Sequence, residues 1–167
     1  MRALAVLGTV LLAGCESMPV SPPAGSAPLT AVQIVEATQT AGRDGVELVV
    51  SPLIDPQVED LREYARRAQS AGRILATERA LQKSLAITPD APDLLQWQAE
   101  VAVLRGEYRQ AEALATRSIA LGPKSGPLCR RNWTLLKLLR ASRGETENVA
   151  SAAAMLERCT IAPPVRM

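Results

Sequence analysis

The side chains able to do chemistry in this chain are few, and they point to binding more than to catalysis. Cys15, Cys129 and Cys159 are its three thiols, and it has no histidine. The commonest general acid–base group, Ser/His relays and the commonest metal ligand are therefore all missing. No motif-length glycine loop and no clustered carboxylate pair takes their place, so an enzyme would need Ser/Lys or Glu chemistry with no identifiable position. Neither a cofactor nor a metal site is expected. Arg62 and Arg66 stand four residues apart on one helix face and together could hold a carboxylate. The alternative is a solvated charged face. Arg130-Arg131, near a helix start, could attract a phosphate or a lipid headgroup, or could be two solvated charges at an entry turn. The formal charge of +2, from 19 basic and 17 acidic residues interspersed along the chain, provides no nucleic-acid-binding stripe.

Helices must position these residues, and the chain spells them out twice. The heptapeptide Lys83 to Pro89, KSLAITP, returns as Arg117 to Pro123, RSIALGP, after a shift of 34 residues. With the same shift Leu61, Ala65, Ala68, Gly72 and Ser84 fall on Leu95, Ala99, Ala102, Gly106 and Ser118. The recurrence spans two helices and both turns, so it predicts antiparallel helix pairs that bury their apolar faces only by stacking. Asp55-Pro56 opens the first pair, with aspartate as N-cap and proline where its missing N–H costs nothing. Val58 to Ala71 turns at Gly72 into Arg73 to Ile87, and Pro89 closes the unit. Asp90 is expected to cap the next helix, which runs to Arg105, turns at Gly106 and continues from Tyr108 to Leu121. The third pair starts near Pro127, turns around Gly144 and ends near Cys159. With 47% apolar residues but no Phe, two Trp and two Tyr, packing falls to leucine, alanine and valine. Trp97 and Trp133 are expected between units.

In these positions the chain resembles the tetratricopeptide repeat family. Leu95, Ala99, Ala102, Gly106, Tyr108, Ala111 and Pro123 fill the large, small, small, turn, aromatic, small and terminal-proline roles of the middle unit. The first unit matches with Leu61, Tyr64, Ala65, Ala68, Gly72 and Pro89, although Thr77 replaces a small alanine. The third is degenerate, with Trp133 and Leu136 in place but Lys137 in a small-residue slot, as suits a capping repeat. The implied fold is all-α, a superhelix of about three antiparallel helix pairs over residues 55–167. Cys129 and Cys159 then sit at the two ends of the third pair and are expected to form a disulfide, the alternative being two buried thiols. In this family the first helix of each pair lines a concave groove for peptides or partner helices. Carried over, that geometry places Arg62 and Arg66, Gln96 and Glu100, and Arg131, Thr134 and Leu138 as exposed groove positions. The Lys, Asn and Arg pattern of the carboxylate clamp that holds chaperone tails is not reproduced.

Residues 1–54 read as address and tether. Met1-Arg2 followed by the apolar run Ala3 to Ala13 has the form of a secretory signal, too short to span a bilayer. Leu12-Ala13-Gly14-Cys15 resembles the bacterial lipobox, which implies cleavage after residue 14 and lipidation of Cys15; an ordinary signal peptide is the alternative. Two or three acyl chains anchor durably where one would be marginal. Glu16 in place of aspartate points to the outer membrane, facing the periplasm. Pro19, Pro22, Pro23 and Pro28 among serines make Glu16 to Leu29 a semi-extended spacer. Within Thr30 to Ser51, Ala31 to Thr40 suits a short helix and Val46 to Val50 an extended segment along the first repeat. The expected whole is a non-enzymatic envelope lipoprotein that binds a protein partner through its repeats and the membrane through Cys15. A pilotin-like escort for a pilus or secretion component, a structural subunit and an uncharacterised periplasmic enzyme are the alternatives.

Overall fold

A computed structural model describes residues 28–45 and 53–161. The signal segment, Cys15, most of the proline-rich spacer and Val46 to Val50 lie outside those residues. Among the described residues the chain is entirely helical: α1 (Ala31–Arg43), α2 (Pro56–Ser70), α3 (Ile74–Ile87), α4 (Pro92–Leu104), α5 (Tyr108–Leu121), α6 (Gly126–Ser142) and α7 (Thr146–Glu157). The three expected hairpins are present as α2–α3, α4–α5 and α6–α7, stacked in chain order through α3 on α4 and α5 on α6.

Local chemistry sets the boundaries. Asp55 caps α2 by accepting the Gln57 N–H at 2.8 Å, with Pro56 in the first turn. Gly72, Gly106 and Gly144 each turn a hairpin at φ of 69°, 76° and 71°, a left-handed conformation that costs an L side chain about 1–2 kcal/mol. Asp90 does not cap α4. Ala91 occupies the cap position and Pro92 follows it, which leaves the Asp90 carboxylate to accept from Arg117 at 2.8 Å.

Small side chains carry the hairpin contacts. Ala65, Ala68, Ala99, Ala111 and Ala115 are fully buried, so neighbouring helices approach closely, and Leu81, Leu94, Leu135, Leu136 and Leu139 fill the remaining volume. Thr77, in a small-residue slot, is also fully buried and satisfies its hydroxyl on the Arg73 carbonyl. Trp133 packs against the larger core cluster and Trp97 against the smaller, while Trp97 also donates its indole N–H to Gln69 Oε1.

The spacing that suits a helix over Ala31 to Thr40 yields one turn more, ending at Arg43. Thr30 and Gln33 form a reciprocal capping box at its start. This helix is not part of the tether. Ile34 and Val35 enter the same core cluster as Ala99, Ala102 and Val103 of α4 and Leu135, Leu136 and Leu139 of α6. Burying two such side chains contributes about 3–6 kcal/mol, which more than offsets fraying of a short helix. α1 therefore packs with the helices of the repeats through α4 and α6.

The turn between α6 and α7 carries a charge network. Arg143 bridges Glu112 at 2.7 Å and Glu145 at 2.5 Å, and Asn148 donates to Glu145 at 2.9 Å. The hydrogen bond from Arg143, then that from Asn148, holds the Glu145 carboxyl below the usual carboxylate range. Since the folded-state value is the lower one, this contact stabilises at neutral pH and its contribution is lost as pH falls through that depressed value. Acidification is expected to lower the amide protection factors of α7 before those of the rest of the domain. Protection factors that fall together throughout the domain, only at global acid unfolding, would contradict that.

Candidate functional site

The first helices of the hairpins, α2, α4 and α6, present the positions read from the sequence as a groove. α1 fills its C-terminal half: it packs on α4 and α6 and on no other described helix. The contact is partly polar. Gln39 Nε2 donates to Glu100 Oε2 at 3.1 Å, and Arg130 Nε donates to the Ala41 carbonyl at 3.0 Å. Gly42 lets the α1 backbone approach α6, since a Cβ there would stand 2.5 Å from Arg131 Cγ.

Coverage by α1 overturns the expectation of a wholly exposed groove. Gln96 and Glu100 are fully buried, Thr134 is buried, and Leu138 is half-buried against the larger cluster. Arg131 is half-buried and donates to Glu100 Oε1 through Nε at 3.0 Å and Nη2 at 2.7 Å. Arg130 thus donates to the α1 backbone and Arg131 to Glu100 of α4. The physical reason is that a polar groove wall reads as solvated until a segment supplies both hydrogen-bond partners and an apolar edge to cover it.

The N-terminal half stays open. Between α1, α2, α4 and α6 lies a cleft of about 620 Å³ lined by Gln39, Arg62, Arg66, Gln69, Ser70, Trp97 and Arg131. Three guanidinium groups face it and no carboxylate is among the lining residues. Arg62 and Arg66 do not share one carboxylate: Arg62 pairs with Asp93 of α4, and Arg66 with Glu59 of its own helix at 2.6 Å. Their partner carboxylates, Asp93, Glu59 and Glu100, are not among the lining residues. Arg62 Nε is buried without an acceptor. Because Gln69 Oε1 accepts from Trp97, the Gln69 amide nitrogen remains as a further donor. Arg62 also walls a smaller apolar hollow of about 400 Å³ with Leu53, Ile54, Val58, Pro89 and Pro92.

Sequence reasoning placed Arg62, Arg66 and Arg131 around this cleft but missed Gln39, Gln69, Ser70 and Trp97. Gln69 and Ser70 follow Arg66 by three and four residues on the same helix face, a signal that could have found them. Gln39 arrives only with α1, and Trp97 was assigned to packing, which it combines with lining the cleft. Cys129 and Cys159 are bonded, with Cα atoms 5.5 Å apart. Among the described residues no cluster could hold a metal ion, and no helix is long and apolar enough to cross a membrane.

These features define an all-helical repeat protein with a partly filled groove. No protein-family model and no curated protein matches the chain. Among solved structures it is similar to the globular C-terminal domain of P. aeruginosa LpoP, with a TM-score of 0.54 and 24% identity over 64% of this chain and 98% of that domain. At that identity the likeness establishes the fold.

Proposed function

We propose that this chain is a bacterial envelope lipoprotein, anchored through Cys15 in the outer membrane and facing the periplasm. Its tetratricopeptide-like domain is a non-enzymatic scaffold that recruits or activates a periplasmic protein. The observation that carries this reading is the open cleft: three guanidinium groups from two helices line it beside an indole, and no carboxylate is among the lining residues. Such a wall suits a protein segment bearing carboxylates, because a guanidinium fork pairs with a carboxylate bidentately. The short apolar leader ending in Leu12-Ala13-Gly14-Cys15 and the paired cysteines support an oxidising envelope compartment. The likeness in fold to the LpoP domain is compatible with a binding role.

The test places a photo-crosslinking residue at Arg66, which is half exposed, instead of at a buried groove position. Irradiation of intact native cells should give one dominant envelope adduct, lost when Arg62→Glu is added, with the protein still folded and membrane-bound. Absence of any specific adduct from a normally anchored protein would remove this reading.

A further inference from the structure

α3 and α5 expose charge of one sign. Each helix has a single carboxylate, and neither stands free on the surface: Glu78 is buried against Arg105, and Glu112 is half-buried between Arg140 and Arg143. The exposed charges that remain are Arg79, Lys83, Arg109 and Arg117. Arg117 pairs with the exposed Asp90 at 2.8 Å, a weak surface contact, whereas Arg79, Lys83 and Arg109 form no ion pair among the described residues. On α2, by contrast, Glu59, Asp60 and Glu63 are exposed beside Arg66 and Arg67. Apolar side chains are exposed on the same two helices, Leu75 and Ile87 on α3 and Tyr108 and Leu121 on α5. The repeat sets both helices in one register. Thr77, Leu81 and Ser84 are buried on α3, and Ala111, Ala115 and Ser118 are buried 34 residues later on α5, so equivalent positions turn outward on each. Neither helix touches α1, which places this face away from the filled groove.

We propose that the outward face of α3 and α5 is a docking surface for an anionic phospholipid bilayer. Cations interleaved with exposed leucine, isoleucine and tyrosine suit a lipid–water interface, because headgroup phosphates take the charges while the apolar side chains enter the acyl boundary. An acidic protein would answer only the charges. The four apolar side chains line neither the cleft nor the apolar hollow, so their spread along two helices suits a continuous apolar layer better than a pocketed partner. The inference takes from the lipoprotein reading only the nearness of a membrane, and nothing from the cleft. Residues 16–29, which separate Cys15 from Thr30, can reach at most roughly 50 Å, about twice the length of α6, so an anchor at Cys15 lets this face turn to the bilayer. Docked in this way, the domain holds its open cleft away from the membrane.

The experiment uses the chain as its host processes it, with a fluorescent amino acid at Gln82, which is exposed beside Lys83. Vesicles of phosphatidylcholine, alone or with phosphatidylglycerol added, carry a brominated lipid that quenches the probe on contact. The acidic vesicles should quench at Gln82, while the same probe at the exposed Ser151 of α7 stays bright. Arg79→Glu with Lys83→Glu should lower the docking constant by about 25-fold, since each cation near an anionic surface contributes roughly fivefold. Rising ionic strength should release the parent chain in the same way, and this measurement decides if the double variant fails to fold. Equal quenching on neutral vesicles or at Ser151, or quenching indifferent to salt or to the double reversal, overturns the proposal. An unquenched probe at Gln82 also overturns it, including where a photo-crosslinking residue at that position captures an envelope protein in cells. Flotation with neutral vesicles reads the anchor separately. A chain that does not float with them loses the lipoprotein reading, and the probe on acidic vesicles still decides the face.

Discussion

Replacing Arg131 with methionine is expected to lower the stability of the domain by about 3 kcal/mol, although the residue is a quarter exposed. The loss comes from what is left behind. The Glu100 carboxylate is fully buried and accepts from Arg131 Nε and Nη2 and from Gln96 Nε2 on one oxygen, and from Gln39 Nε2 on the other. Without Arg131 it keeps two amide donors and no counter-charge, and breaking a buried pair on one side costs about 3–5 kcal/mol. The partial exposure of Arg131 places the loss at the lower end of that range. Replacing both partners should be much milder, because Arg131→Met with Glu100→Leu leaves no unpaired charge. Urea denaturation of the two single variants and the double variant measures this as a shift in midpoint at constant slope. A single variant within 1 kcal/mol of the parent, or a double variant no better than Arg131→Met, would show that the pair does not hold α1, α4 and α6 together.

The second large effect belongs to the disulfide. Cys129 lies in the first turn of α6 and Cys159 just beyond α7, with 30 residues of sequence separation. A closed loop of that size stabilises by roughly 3.5 kcal/mol through the entropy it removes from the unfolded chain. Its importance follows from how little else secures the last helix. Among the described helices α7 packs on α6 alone, and Ala152 is its one fully buried residue. The Gly126 N–H donates to the Cys159 carbonyl at 2.7 Å and ties the same two ends, but a single backbone hydrogen bond contributes about 1 kcal/mol net. Substituting both cysteines with serine should lower the unfolding free energy by roughly 3.5 kcal/mol and raise amide exchange in α7 most. Reductant should reproduce the loss in the parent chain and leave the serine variant unchanged. Equal unfolding curves with and without reductant would mean that α6 and α7 hold without the bond.

What the sequence determined by itself is the repeating part. Ala65 and Ala99, Ala68 and Ala102, and Gly72 and Gly106 recur because each hairpin must solve the same local problem: a close helix crossing and a left-handed turn. Such problems are set within some thirty residues, so the spacing of small residues reveals them. The ends of the third hairpin were legible for the same reason, and the cysteine pairing followed from the ends meeting. The half-degenerate third unit could still be placed because Trp133, Leu136 and Gly144 retain the positions that matter for its helix pair.

Only the tertiary structure decided what covers the groove. Ala31, Ile34, Val35 and Thr38 mark α1 as amphipathic, yet an amphipathic stripe does not say which surface it meets. The contacts that answer this join residues far apart in the chain, Gln39 to Glu100 across 61 positions and Arg130 to Ala41 across 89, and no periodicity links them. Gln96 and Glu100 show the same limit from the other side. Polar residues on a helix face are compatible with water or with a polar partner, and the one-dimensional pattern is identical in both cases. The difference is made by whether another segment brings matching donors and an apolar edge into register, which is a property of three-dimensional packing.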